Sequence, residues 1–239
     1  MADIQYKNVS EFPGWSKMPQ FIYDFIQRNG IKTVIEIGAG ANPTLTIDLI
    51  KKVGISYAIN DLDIHELSKS SDAYIKTVFD PCSSNFYHAN TYDLVFSRMA
   101  LEHVSNAKTF HKNIFGILNP GGYAVHCFST LYALPFVLNK FLPGPISNIL
   151  LDIFNPRDRS RHEKFRAYYD WARGPNHILI GKFEALGYKV VNFTGYFGHP
   201  YYKKIPLLNK LEEIKSAWLV RHPISYLTSY GSIILQKVR

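Results

Sequence analysis

Val34-Ile35-Glu36-Ile37-Gly38-Ala39-Gly40-Ala41-Asn42-Pro43 decides how the rest of this 239-residue chain is read. A short apolar, β-branched run reads as a buried parallel strand, and two glycines spaced by one residue follow it at once. Without a Cβ, glycine lets backbone N–H groups come close to a ligand. A nucleotide-like cofactor is the usual occupant of a crevice at such a strand end. The dinucleotide fingerprint G-x-G-x-x-G fails here, because Pro43 stands at its third glycine. Glu36 places a carboxylate in the turn, which repels pyrophosphate and suits a ligand carrying an ammonium group. The plain alternative is a glycine-rich strand-to-helix turn that binds nothing.

Outward from this stretch, strand and helix patterns alternate from about residue 18 to 130. Residues 18–28 have apolar positions at helical spacing and stop at Asn29-Gly30, a helix C-terminal signal. Strands are expected at 33–37, 56–60, 73–79 (weaker), 92–97 and 123–128, with helices over 44–52 and from about 98 to 118. Asn119-Pro120-Gly121-Gly122 is expected as a turn. This alternation predicts right-handed βαβ units and a doubly wound, mostly parallel sheet with helices on both faces. Regularity breaks over 129–173, which reads as an insertion on the substrate side of the sheet. A helix at 177–186, a strand at 188–193, an irregular stretch and a last strand at 232–236 follow. The division expected is one domain over 1–239: a cofactor core at about 18–130, a lid at about 131–175 and sheet completion at about 176–239.

The motif at 36–42 resembles motif I of the class I S-adenosylmethionine-dependent methyltransferases, written acidic-x-Gly-x-Gly-x-Gly. Asn42 stands at the last glycine, and Asn is the non-glycine residue that best tolerates positive φ. The resemblance covers about residues 30–130 in the family's order. Asp61 matches the acid that holds the ribose hydroxyls, with Asp63 as a near alternative. A carboxylate suits that place because it accepts two hydrogen bonds from a vicinal diol. Phe79-Asp80 matches the pair that packs on adenine and accepts from its amine. Residues 92–104, with Ser97 and the Leu101-Glu102-His103-Val104 continuation, look like the fourth strand, and Leu118-Asn119-Pro120-Gly121-Gly122 like the Leu-x-Pro-Gly-Gly turn. The cofactor set implied is Glu36, Gly38, Gly40, Asn42, Asp61, Phe79, Asp80 and Ser97. The cofactor implied is S-adenosyl-L-methionine, leaving as S-adenosyl-L-homocysteine. The C-terminal features resemble, loosely, bacterial methyltransferases tied to polysaccharide or secondary-metabolite synthesis.

A sulfonium methyl is already activated, so such a protein mainly positions a nucleophile in line and excludes water. An oxygen or amine nucleophile can also need a proton removed, and histidine is the default group near neutral pH. His126 and His199 are the leading candidates. His103, His162 and His177 stand behind them, and a base-free reaction is also open. The Asn/Asp-Pro-Pro-Tyr/Phe signature of many nitrogen methylating enzymes is absent: Ser97-Arg98-Met99-Ala100 stands there. No carboxylate cluster for a catalytic metal is found, so none is expected. Arg161, Tyr168, Tyr169, Arg173 and Tyr201 are the substrate candidates, because arginine recognises anions in a bidentate manner and tyrosine suits rings with polar edges. A solvated charge run and ordinary core packing are the plain readings of the same residues.

Composition bounds the partners. Residues 1–139 carry 11 Lys and Arg against 12 Asp and Glu, residues 140–239 carry 16 against 7, so the whole formal +8 lies downstream. Such a surface is either merely solvated or attracts an anionic small molecule, nucleic acid or an acidic membrane. The apolar character of 131–154 disfavours a basic nucleic-acid groove. Beside the basic run it leaves a non-catalytic, membrane- or partner-docking scaffold open. A small-molecule or saccharide acceptor methylated on oxygen is the first reading. Two cysteines without metal-like spacing, no visible signal peptide and no long apolar run point to a reduced, cytoplasmic protein without a transmembrane segment.

Overall fold

The computed structural model describes residues 2–86, 89–131 and 166–238. Eight strands form one sheet: β1 (Asp3–Asn8), β2 (Thr33–Ile37), β3 (Ser56–Asp61), β4 (Ile75–Val78), β5 (Tyr92–Arg98), β6 (Leu118–Ser129), β7 (Tyr188–Phe197) and β8 (Tyr230–Lys237). Their spatial order is β1-β7-β8-β6-β5-β2-β3-β4. All neighbours run parallel except β8, which is antiparallel to both β6 and β7. The helices are α1 (Met18–Asn29), α2 (Ile47–Val53), α3 (Ile64–Ser68), α4 (Ala107–Ile117), α5 (His177–Glu184) and α6 (Pro206–Arg221). Among the described residues no helix is long and apolar enough to cross a membrane.

Local chemistry accounts for these boundaries. Met18, Ile22, Phe25 and Ile26 are buried on one face of α1, and Gly30 ends the helix at φ +62°, a left-handed position that costs glycine no Cβ clash. The Thr46 side chain caps α2 by accepting from Leu49 N–H at 3.3 Å, and Gly54 closes it at φ +69°. The central strands β2 and β5 are buried on both faces, which is why Val34, Ile35, Leu94, Val95 and Phe96 form an apolar core without alternation.

The structure differs from the sequence reading at three places. β1 was not expected. Its partner β7 lies far along the chain, so Ile4 and Tyr6 gain a half-buried setting only once the C-terminal half has folded. The expected turn at 119–122 sits inside β6 as a bulge: Leu118 pairs with Tyr92, whereas Tyr123 pairs with Leu94. The irregular stretch after 193 holds the end of β7 and the 16-residue helix α6. Most of the expected 131–175 lid, with His162, lies outside the described residues.

The chain winds outward from β2 through β3 to β4, then crosses back to lay β5 and β6 on the other side. Strand order therefore reverses beside β2, and the carboxyl ends of β2, β3 and β5 open onto one crevice.

Candidate active site

That crevice is a cavity of about 1150 Å³. One wall is the loop after β2. Gly38 and Ala39 N–H both donate to the Asn60 carbonyl at 2.9 and 3.0 Å, which curls the loop onto β3. Gly38 (φ +73°) and Gly40 (φ +51°) are left-handed, and a Cβ on Gly38 would lie 3.0 Å from that of Ala100. A side chain at Gly38 is thus strained by its torsion and tight against Ala100.

Asp61 ends β3 at the base of this loop. Its Oδ2 accepts from Gly40 N–H at 3.0 Å and its Oδ1 from Asp63 N–H at 3.1 Å. A carboxylate has about four lone-pair directions, so these two bonds orient Asp61 without saturating it. Asp63 instead caps α3 through His65 N–H at 2.8 Å. Asp80 accepts from Cys82 N–H at 2.8 Å, and Asn113 of α4 clasps the same turn through the Pro81 and Ser83 carbonyls. Arg98, at the end of β5, donates to the Asn42 carbonyl at 3.0 Å and so ties β5 to the glycine loop. Met99, Ala100, His103 and Tyr168 also line the cavity. Met99 holds φ +53°, a left-handed torsion rare for a long side chain, with its N–H on the Cys127 carbonyl at 2.7 Å.

Gly38, Gly40, Asn42, Asp61, Asp80 and Tyr168 therefore line one cavity. Other expected residues stand elsewhere. Glu36 is buried behind the loop, where Thr44 N–H (2.8 Å), Thr44 Oγ1 (2.5 Å) and the Tyr57 hydroxyl all donate to it. Burial raises its pKa against the pull of those donors. It fastens the loop to β3 rather than facing a ligand ammonium. Asn42 lies at the cavity but does not adopt the positive φ expected of it. Phe79 is half-buried against the Phe86 ring at 5.2 Å and is off the cavity wall. Ser97 is buried, its Oγ 2.8 Å from His126 Nδ1.

The histidines are corrected in the same way. His126 is fully buried among Ser97, Phe110 and His111, and burial pushes its pKa down to about 3. It is neutral and out of reach of the cavity. His199 is buried beneath α6, with Nε2 3.6 Å from Glu212, and is also off the cavity wall. His103 is the one histidine lining the cavity among the described residues. Its Nδ1 lies 3.1 Å from the Arg166 carbonyl. A carbonyl only accepts, so Nδ1 is the donor in this bond.

Tyr168 and Tyr169 both donate their N–H groups to the Glu102 carbonyl, at 2.9 and 3.0 Å. The left-handed Tyr169 (φ +54°) sends consecutive side chains apart: Tyr168 is 39% exposed at the cavity, and Tyr169 is 3% exposed in the core. Burial, with Glu102 nearby, pushes the Tyr169 hydroxyl up to about 12. Arg173 donates back to the Tyr169 and Ala172 carbonyls, and Tyr201 packs near the His199 ring at 5.5 Å, so neither lines the cavity. Arg161 lies outside the described residues. The sequence reading passed over Arg98, Met99, Ala100, Pro81, Cys82 and Lys69 as wall residues. Position after β5 was the available signal for the first three; nothing in the sequence marked Lys69.

The donor set fits a sulfonium nucleoside. An unsaturated carboxylate at Asp61 suits a diol, and a Cβ at Gly38 would crowd the glycine cradle. Asp61, Asp63, Glu66 and Asp80 give the wall acidic character suited to a cation.

A family model described as a methyltransferase domain matches residues 15–178. The fold is similar to that of an S-adenosylmethionine-dependent methyltransferase from Archaeoglobus fulgidus, with TM-score 0.52 and 15% identity over 92% of this chain and 94% of that one. It is similar also to phosphoethanolamine N-methyltransferase 2 of Haemonchus contortus, solved with S-adenosyl-L-methionine (TM-score 0.54, 16% identity, 92% of this chain, 53% of that one). An S-adenosylmethionine-dependent methyltransferase from Mesorhizobium loti gives TM-score 0.50 at 13% identity over 86% and 90% of the two chains. At such identities these likenesses show the fold. No curated protein matches the chain in sequence.

Proposed function

This chain belongs to the methyltransferase-domain family of S-adenosylmethionine-dependent enzymes, and from that premise we propose that it methylates an oxygen of a small-molecule or saccharide acceptor. One observation carries the reading. Asp61 and the glycine loop line the same cavity as His103 and the exposed ring of Tyr168.

In this reading Asp61 takes the ribose hydroxyls, Asp80 the adenine amine, and the Gly38–Asn42 backbone approaches the amino-acid portion. S-Adenosylmethionine supplies a methyl already activated on positively charged sulfur. The protein's remaining work is to place an acceptor, keep water out and hold its proton. Val104, Phe110, Met99 and Pro81 provide apolar wall that excludes water. Tyr168 offers a ring with a polar edge to the acceptor. His103 Nε2 receives the hydroxyl proton while the Arg166 carbonyl holds Nδ1–H and the ring orientation. Core, substrate-side residues and sheet completion act as one domain.

A nucleic-acid acceptor is disfavoured by the four acids on the cavity wall, which would repel a phosphate backbone. The test is a panel of phenols, sugars, carboxylates and RNA incubated with protein and S-adenosylmethionine, read as S-adenosylhomocysteine release and product mass. Methylation on a hydroxyl supports the reading. Methylation of RNA alone, or on nitrogen alone, overturns it.

A further inference from the structure

Helix α6 is inside out. Glu212, Ser216 and Leu219 face inward, whereas Leu207 is 73% exposed, Leu211 54%, Ile214 58% and Trp218 52%. At 3.6 residues per turn, 207, 211, 214 and 218 fall on one stripe. This orientation is fixed from beneath. Glu212 receives Lys215 Nζ at 2.5 Å and lies 3.6 Å from His199 Nε2. Ser216 Oγ donates to the Glu212 carbonyl at 2.7 Å. The backbone of Gly198 passes so close that a Cβ there would meet Ser216 Oγ at 2.9 Å. The apolar stripe cannot turn inward without breaking these contacts.

We propose that this stripe is a docking face for an anionic lipid surface. The charge around it selects that occupant. Lys210 flanks the stripe, Lys203 and Lys204 precede the helix, and Arg221 ends it, all of them exposed. Long basic side chains beside an apolar stripe let the stripe enter the headgroup boundary while their ammonium groups meet lipid phosphates. Trp218 suits that boundary, with an apolar body and a polar N–H. Two copies packed stripe to stripe would instead bring like charges together. α6 packs against β1 and β7, at the edge of the sheet away from the cavity.

Co-sedimentation of the full chain with phosphatidylcholine vesicles, with and without phosphatidylserine, tests this. Binding is expected to be at least about tenfold tighter to the anionic vesicles and to weaken with salt. The double variant Leu211→Glu/Trp218→Glu is expected to abolish it, and Lys203→Glu/Lys210→Glu to reduce it, with S-adenosylmethionine affinity unchanged in both as the control for folding. No binding to anionic vesicles, or binding that survives Leu211→Glu/Trp218→Glu, overturns the proposal. A dimer in sedimentation equilibrium that Leu211→Glu/Trp218→Glu dissolves would also overturn it, and would hand the face to a second copy.

Discussion

Replacing Asp61 by alanine is the most direct perturbation of the cofactor wall. The side chain makes two bonds within the protein, to Gly40 N–H at 3.0 Å and Asp63 N–H at 3.1 Å. Both donors are near the surface, so water can take them, and the stability loss should stay near 1 kcal/mol. The larger effect is on binding. Asp61→Ala removes the acceptor for a diol, a charge-assisted pair of hydrogen bonds worth about 1–3 kcal/mol net, or roughly a 5–150-fold weaker Kd. Asp61→Asn keeps one oxygen but turns an amide N–H₂ toward a backbone donor, so it should fall between wild type and alanine. Isothermal titration with S-adenosylmethionine and S-adenosylhomocysteine reads both variants, and a thermal melt separates folding from affinity. An alanine variant whose Kd stays within about twofold of wild type, well below that estimate, refutes the reasoning. The diol would then have to be sought at Asp63, which already caps α3.

Gly38→Ala should lower the melting temperature by roughly 3–6 °C. The left-handed torsion costs about 1–2 kcal/mol in a residue with a Cβ, and Ala100 stands 3.0 Å from that Cβ. His103→Gln should cut turnover by roughly 10²–10⁴-fold if it is the base, with cofactor Kd unchanged; undiminished turnover removes it from that role. His126→Asn should leave turnover per folded molecule nearly unchanged, because the ring is buried and off the cavity. The same variant should flatten the acid side of the stability curve. Burial holds the folded pKa of His126 at about 3, so only the unfolded chain takes up this proton as pH falls below about 6.5. Stability is therefore full above that pH and is lost progressively toward pH 3, by roughly 2 kcal/mol at pH 5. Equilibrium denaturation of both proteins at pH 7 and pH 5 measures the difference.

The alternation of strands and helices around the cavity was legible because its cause is local. Val34–Ile37 and Tyr92–Ser97 are apolar runs ended by residues that stop a strand, and connections between them are long enough for parallel crossovers. The glycine loop and Asp61 were legible for the same reason: a left-handed turn and a strand-end carboxylate are properties of single positions. Glu36 shows the limit. Its residue type marks a charge near the loop, but whether that charge meets a ligand or Thr44 and Tyr57 depends on where β3 places a tyrosine 21 residues on.

What the sequence by itself determined is the alternation of elements, the cradle at Gly38 and Gly40, and the acid at the end of β3, because backbone torsion and hydrophobic period act over a few residues. What only the tertiary structure decided is which histidine meets the cavity. His126 of β6 is sealed against Ser97, Phe110 and His111, while His103 lines the cavity. The facing of α6 was decided in the same way: contacts of Glu212 and Ser216 with the His199 ring and the Gly198 backbone turn Leu207, Leu211, Ile214 and Trp218 outward. Both outcomes rest on packing between segments distant along the chain, which no local pattern encodes.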